Sequence, residues 1–190
     1  MDLKLRDKPD VEKAKKIICA LVYFSGGVFE GKTRLNKAFW RAHVFYYKNG
    51  PGLLSQYPIA RLPEGPAIDD LDDVLVVLER EGRIELSSQS KGKYEETVIS
   101  LSSSPPTLDE EEEAAVKEAI QWIKHKTAAQ AADESHRLST GWKESKNGDI
   151  IDVAFDALSA SELDSIKKER ARISRNVQWA KSLIGSEFGR

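Results

Sequence analysis

Residues 68–101 read IDDLDDVLVVLEREGRIELSSQSKGKYEETVISL, and this stretch decides the fold. Ile68, Leu71, Leu75 and Leu78 recur at intervals of three and four, the spacing of one buried helix face. Gly82 closes that helix. Two short strands are expected after it, Arg83–Leu86 and Thr97–Leu101, pairing across the polar loop Ser87–Lys93. A helix, a glycine and a two-stranded wing follow one another in winged-helix order. The expected fold is therefore α+β, a mainly helical domain with a small β-hairpin in a winged-helix-like arrangement.

The same helix carries a charge pattern that bears on function. Asp69, Asp70, Asp72, Asp73, Glu79 and Glu81 are set against Arg80 alone. In a DNA-reading winged helix this element enters the major groove, where phosphates require a neutral or basic surface. Nucleic acid is therefore not expected on the third helix.

Upstream, two helices form the most apolar and aromatic part of the chain. The first spans residues 10–24, with Asp10 as its cap and Val11, Ala14, Ile17, Ile18, Leu21 and Val22 on one side; Ser25-Gly26-Gly27 stops it. The second runs from Lys32 to Lys48, with a stripe of Leu35, Ala38, Phe39, Ala42, Phe45 and Tyr46, and Asn49-Gly50-Pro51-Gly52 ends it. Both are expected at the core. Tyr57–Pro66 holds three prolines and reads as an extended connector.

Downstream, Ser102–Pro106 reads as a linker. Thr107 and Glu110 form an expected capping box for a fourth helix through Val116, Ala119, Ile120 and Ile123. The acidic run Asp109–Glu113 suits a solvated helix start, where the macrodipole favours negative charge. A shorter helix includes Ala128–Asp133, and Ser139–Asp149 is expected as a loop holding Trp142. A last helix, opened by Ser159 and Glu162, carries Leu163, Ile166, Ile173, Val177, Ala180 and Ile184 along one side. Its other faces carry Lys167, Lys168, Arg170, Arg172, Arg175 and Lys181.

The 190 residues are 40% hydrophobic and 32% charged, with a net charge of −2. Mean hydropathy is −0.48, and no apolar run approaches the roughly 20 residues that span a bilayer. The near-neutral total hides a pattern. Residues 1–48 hold 11 Lys/Arg against 5 Asp/Glu, 49–106 hold 5 against 10, 107–165 hold 6 against 14, and 166–190 hold 7 against 2. The ends are basic and the middle is acidic. Met1 to Lys16 has no signal-peptide pattern, and the single Cys19 excludes an intrachain disulfide, so a cytoplasmic protein without a membrane partner is expected.

Catalytic signatures are sparse. The chain has no GxSxG, no HExxH and no complete phosphate-binding loop; Gly31-Lys32-Thr33 matches only the end of one, with a helix and Ser25-Gly26-Gly27 before it. Cys19 lies on an apolar helix face and reads as buried. Of the three histidines, His43 sits in the aromatic second helix, His125 at an exposed helix end, and His136 after Asp133 and Glu134. No metal-ligand spacing joins them. No enzyme activity and no cofactor or metal are expected, and a hydrolase or metalloenzyme centred on His136 is the weakest alternative.

Three blocks, in order, resemble the Panacea-domain family, the SocA-type antitoxin-like proteins often found with phages. The first is Lys32-Thr33-Arg34-Leu35-Asn36-Lys37-Ala38-Phe39-Trp40-Arg41-Ala42. The second is Gly65-Pro66 with the Leu71–Leu78 helix and Gly82-Arg83-Ile84. The third is Ser135-His136 with Trp142 and Gly148-Asp149-Ile150-Ile151. The resemblance implies a Panacea-like domain over 1–158 and a basic extension, 159–190, whose role it does not cover and which is expected to pack on the same domain. It implies a non-enzymatic module that binds and neutralises a partner protein, a genomically linked toxin, and the acidic middle suits a basic one. Lys32, Asn36, Lys37, Trp40, Gly65, Pro66, His136 and Trp142 are its motif positions. His136 and Trp142 allow two readings: a partner-facing site, or an anchor in which Trp142 closes the core over the fourth helix while His136 hydrogen-bonds its loop. The second carries more weight. A nucleic-acid-binding regulator using the basic terminal helices is the alternative function.

Overall fold

The computed structural model describes residue 5, residues 7–92 and residues 94–187. It divides into two compact units, Met1–Ala157 and Leu158–Arg190. The first contains α1 (Val11–Phe24), β1 (Val28–Glu30), α2 (Lys32–Asn49), β2 (Ile59–Leu62), β3 (Gly65–Ile68), α3 (Leu71–Arg80), β4 (Ile84–Lys91), β5 (Tyr94–Leu101), α4 (Glu110–Ile123), α5 (Ala128–Leu138), α6 (Thr140–Glu144) and α7 (Ala154–Ala157). The second contains α8 (Ala160–Glu187).

The α+β, winged-helix-like expectation holds. The antiparallel sheet runs in the order β1-β5-β4, with Phe29 opposite Ile99 and Ile84 opposite Leu101. Helices α1, α2 and α3 precede the β4–β5 wing. Gly82, at φ +67, turns α3 into β4 and donates its N–H to the Glu79 carbonyl. The wing is longer than expected: Ser87–Ser90 pair with Glu95–Val98 and are strand, not loop. Both faces of that tip are polar, so it lacks the alternation that marks a half-buried strand. A three-residue strand, β1, also stands where only a glycine stop was expected.

Ile17, Ile18, Leu21, Leu35, Phe39 and Trp40 are fully buried, so α1 and α2 do form the core. Each such side chain contributes about 1.5–3 kcal/mol by leaving water. The helix starts differ from expectation in two places. Asp10 adopts a left-handed conformation, φ 58, and its carboxylate accepts from the Gln56 N–H instead of capping α1. In α4 the cap is Asp109, not Thr107: its Oδ1 accepts from Glu112 N at 2.7 Å while Glu112 Oε2 accepts from Asp109 N at 3.2 Å. Nor is the acidic run wholly solvated. Glu112 is 3% exposed and paired with Lys13 and, at 3.0 Å, with Lys16, so the basic α1 neutralises it.

The proline-rich connector is a hairpin, β2–β3, with Ile59 opposite Ile68 and Arg61 opposite Pro66. Two prolines fit because neither occupies a donor position of the ladder. Pro63 lies in the turn. Opposite Pro66, the Arg61 backbone points away, its N–H to the Asp149 carbonyl and its carbonyl to the Gly148 N–H, both at 2.8 Å. The loop 148–151 thus lies along the outer side of β2, and Ile151 donates to the Ile59 carbonyl. Helix α5 extends past Asp133 to Leu138, capped by Thr127 and Gln130. Helix α6 occupies part of the expected loop, because the Ser139 hydroxyl accepts from Trp142 N at 2.9 Å.

In the second unit, Ser159 N donates to Glu162 Oε2 at 2.7 Å and Glu162 N to Ser159 Oγ at 3.3 Å, the expected box. Lys167, Lys168, Arg170, Arg172 and Arg175 are exposed, and so are Ile173 and Val177 of the expected apolar side. The side chains of Ala180, Lys181 and Ile184 lie outside the described residues. No described helix is long and apolar enough to cross a membrane.

Candidate functional site

Six of the eight motif residues meet at the β2–β3 hairpin. Residues one apart on a helix lie about 100° around its axis, so Asn36 and Lys37 of α2 cover adjacent strips of one surface. Both complete the outer edge of β3. Asn36 Oδ1 accepts from Ile68 N at 2.9 Å, and Lys37 Nζ donates to the Pro66 carbonyl at 2.8 Å. An edge strand with unpaired backbone groups is a liability, and here two side chains take the place of a neighbouring strand. Lys37 is 1% exposed, and burial pulls its pKa down to about 8, opposed only by the charge of Glu64.

His136 and Trp142 hold the hairpin from the other side. Their rings stack with centroids 4.0 Å apart and planes 19° from parallel. Trp142 Nε1 donates to the Leu62 carbonyl at 2.8 Å, and the Arg61 guanidinium lies 4.3 Å from the Trp142 ring. Gly65 comes so close to α5 that an added Cβ would stand 2.5 Å from Ser135 Oγ and 3.1 Å from His136 Cδ2; its φ of +100 also suits glycine alone. Trp142 therefore sits over the hairpin turn, not over the fourth helix, where Trp122 meets Trp40 edge to face. His136 is held by stacking and not by the expected hydrogen bond. Its Nε2 and the Nε of Arg61 are buried without a partner among the described residues.

Trp40 and Lys32 lie apart from this clamp. Trp40 Nε1 donates to Asp156 Oδ2 at 2.7 Å. The same carboxylate accepts from the Ser139 hydroxyl at 2.8 Å and the Gly141 N–H at 2.7 Å, tying α2 to α6 and α7. Burial pushes the Asp156 carboxyl above its ordinary range, and these donors pull it back. Lys32 pairs with Asp72 of α3 at 2.9 Å on the surface. The partial phosphate-loop likeness gains a strand before it, since β1 precedes Gly31. It still lacks a loop: Gly31 alone joins β1 to α2, and a Cβ there would meet the Glu96 carboxylate at 2.7 Å.

The remaining sequence candidates are placed as follows. His43 is buried between the Phe39 carbonyl, 2.8 Å from Nδ1, and the Ser55 hydroxyl, 2.9 Å from Nε2. A carbonyl only accepts, so Nδ1 carries the proton. Burial drives the His43 pKa down to about 4. Cys19 is buried, with its thiol pKa raised by burial. His125 is exposed. Among the described residues no group of three His, Cys, Asp or Glu side chains converges as a metal site would require.

Beside the hairpin, an open cleft of about 570 Å³ separates Lys32 and Asn36 from the start of α3. Asp69, Asp70, Asp72 and Asp73 line it, with Leu62 at its mouth, 41% exposed. Lys8 pairs with Asp69 and, at 2.8 Å, with Asp70, while the Asp72 side chain is 77% exposed. Along α3, Asp72, Val76, Glu79 and Arg80 face water. The helix that a DNA reader would insert into a groove thus shows an acidic surface.

Arg61 and Asp156 were not among the sequence candidates, and no local pattern marks them. Their partners lie far along the chain, and each sits in an element of four residues, β2 or α7, too short to show periodicity. No family model, curated protein or solved structure matches this chain.

Proposed function

We propose that the chain is an antitoxin-like protein-binding module that neutralises a partner protein encoded beside it, as its resemblance to the Panacea-domain family implies. The observation that carries this reading is the acidic outer surface of α3 and its adjoining cleft. Asp69, Asp70, Asp72, Asp73 and Glu79 gather at the position where a winged helix meets its target. Such a surface repels phosphates and complements a basic protein, whose approach it speeds and orients. The exposed Leu62 supplies an apolar contact at the rim of the same cleft. On this reading seven of the eight motif residues build the hairpin or line the cleft and Trp40 ties α2 to α7, none of them acting by chemistry.

The test is co-expression of the chain with the neighbouring open reading frame. The expected result is co-purification of the two proteins and relief of the neighbour's toxicity, both weakened by Asp72→Lys with Glu79→Lys. Absence of both binding and relief refutes the reading.

A second reading has one specific support. Helix α8 exposes Lys167, Lys168, Arg172 and Arg175, a basic face able to follow a phosphate backbone. It requires duplex DNA binding that falls steeply with salt and is lost when these four positions are reversed in charge.

A further inference from the structure

A second cleft, of about 710 Å³, opens where the end of α1 and β1 face α4. Its apolar lining includes Phe24, Val28 and Ile120; Val28 is 46% exposed. Three cations line it, Arg34, Lys117 and Lys124, against the single carboxylate of Glu30. That carboxylate is taken by Lys91 at 3.1 Å. Lys117 pairs with Glu113 and lies 5.2 Å from the Phe24 ring. Among the described residues neither Arg34 nor Lys124 has a carboxylate partner. The Arg34 guanidinium rests 5.6 Å from the Phe29 ring and reaches only carbonyls, Glu30 at 3.3 Å and Ile123 at 3.4 Å, while its Nε is buried without a partner. The end of α4 offsets part of this positive charge, but a helix terminus supplies only about half a unit. In a chain whose middle is strongly acidic, this cleft is cationic.

Backbone geometry adds a second observation. Gly31 N donates to the Thr97 carbonyl at 2.9 Å, and Leu101 N to the Gly27 carbonyl at 2.8 Å. These bonds set the phase of the antiparallel ladder, in which alternate residues point their backbone groups away from the partner strand. The N–H groups of Val28 and Glu30 therefore point to the open edge of β1, beside the cleft. The two carbonyls on that edge are already engaged: Val28 O accepts from Ser25 Oγ at 2.7 Å, and Glu30 O from Arg34. The edge thus offers two open donors, while each of its carbonyls already accepts a hydrogen bond from this chain's own side chains. An added peptide strand needs both, whereas an anion needs donors alone.

We propose that this cleft binds a small organic carboxylate with an apolar body. The body packs on Phe24, Val28 and Ile120, and the carboxylate lies among Arg34, Lys124 and the edge N–H groups of β1. The volume suits a ligand of that size, and the mixture of apolar lining with a few convergent polar groups is that of a small-molecule site. The proposal stands independently of the antitoxin reading.

Naphthalene-2-carboxylate is the probe, with 2-naphthylmethanol and 2-naphthylmethylammonium as neutral and cationic controls, each titrated into the full chain and followed by amide NMR and calorimetry. The carboxylate is expected to bind about tenfold more tightly than the alcohol, the effect of one charge-assisted contact, and the ammonium more weakly still. The Val28 and Glu30 amide signals move downfield. Lys124→Glu, at an exposed position, keeps the fold and lowers carboxylate affinity while leaving alcohol affinity unchanged; Arg34→Gln acts in the same direction. The proposal is overturned if none of the probes binds or if alcohol and carboxylate bind alike. It is equally overturned if the shifted amides lie elsewhere or if Lys124→Glu changes nothing.

Discussion

The Trp40 indole and the Asp156 carboxylate, 116 residues apart in sequence, meet in a buried hydrogen bond of 2.7 Å. Asp156 also accepts from Ser139 and Gly141, so one carboxylate satisfies three donors that have no water to turn to. Removing it strands all three. Because each buried unsatisfied donor costs about 1–3 kcal/mol, Asp156→Ala is expected to lose about 3 kcal/mol or more in urea unfolding. Asp156→Asn keeps one acceptor oxygen and loses less. An alanine variant as stable as the parent would show that the junction contributes nothing.

His43 makes stability sensitive to mild acid. Its folded pKa of about 4 lies below the ordinary histidine value of 6.5 because the ring is buried, an effect that the hydrogen bond to the Phe39 carbonyl and the charge of Asp10 only partly oppose. Between these values the unfolded chain binds a proton that the folded chain refuses. Stability therefore falls as pH drops from 6.5 towards 4, by about 3 kcal/mol over the full interval at 1.36 kcal/mol per unit. His43→Gln should unfold with a flatter pH profile over that range. If parent and variant profiles run parallel, the ring does not titrate as stated.

Gly65 sets how closely the hairpin approaches α5. An alanine there meets Ser135 Oγ at 2.5 Å and must also hold φ at +100. Backbone strain of this kind costs about 1–3 kcal/mol, and the steric clash adds to it, so Gly65→Ala should lower the melting temperature. Adding Ser135→Ala removes the hydroxyl and relieves the clash but not the strain. Partial recovery in the double variant separates the two costs. No recovery would mean that the approach of Gly65 to Ser135 carries no energetic weight.

What was legible in the sequence followed local chemistry. The Ile68–Leu78 spacing and Gly82 identified α3 and its exit into the wing, and the Ser159–Glu162 box located the start of α8. Gly65, Pro66, His136 and Trp142 were marked by the resemblance to the Panacea-domain family and not by local chemistry. What escaped depended on partners distant in the chain. Val28–Glu30 is too short for periodicity, and it is a strand only because β5 arrives beside it. Pro63 and Pro66 argued against a hairpin, yet one occupies the turn and the other faces an Arg61 backbone bonded elsewhere. Arg61 and Asp156 gain their roles from Trp142 and Trp40, contacts that no window of adjacent residues contains.

Lys37 gives the opposite pH signature to an ordinary surface lysine. It is buried with one hydrogen bond, to the Pro66 carbonyl, and its folded pKa is about 8 against 10.5. Below pH 8 the folded chain must keep a charge in a poorly solvated site, and this cost is present in full. As pH rises from 8 to 10.5 the folded chain releases the proton first, so the unfolded state holds more protons and stability increases. Other groups act the opposite way in the alkaline range: Tyr57 and Lys8 both have raised pKa values, so their stabilising contributions fall as pH climbs. The contribution of Lys37 is therefore read as a difference from Lys37→Met, which keeps the side-chain length without the charge. The stability of that variant relative to the parent is expected to be highest at pH 7, where the parent holds a buried ammonium, and to fall by pH 10 as the parent sheds that proton. A stability difference between the two that does not change with pH would mean that Lys37 keeps its ordinary affinity for the proton in the folded chain.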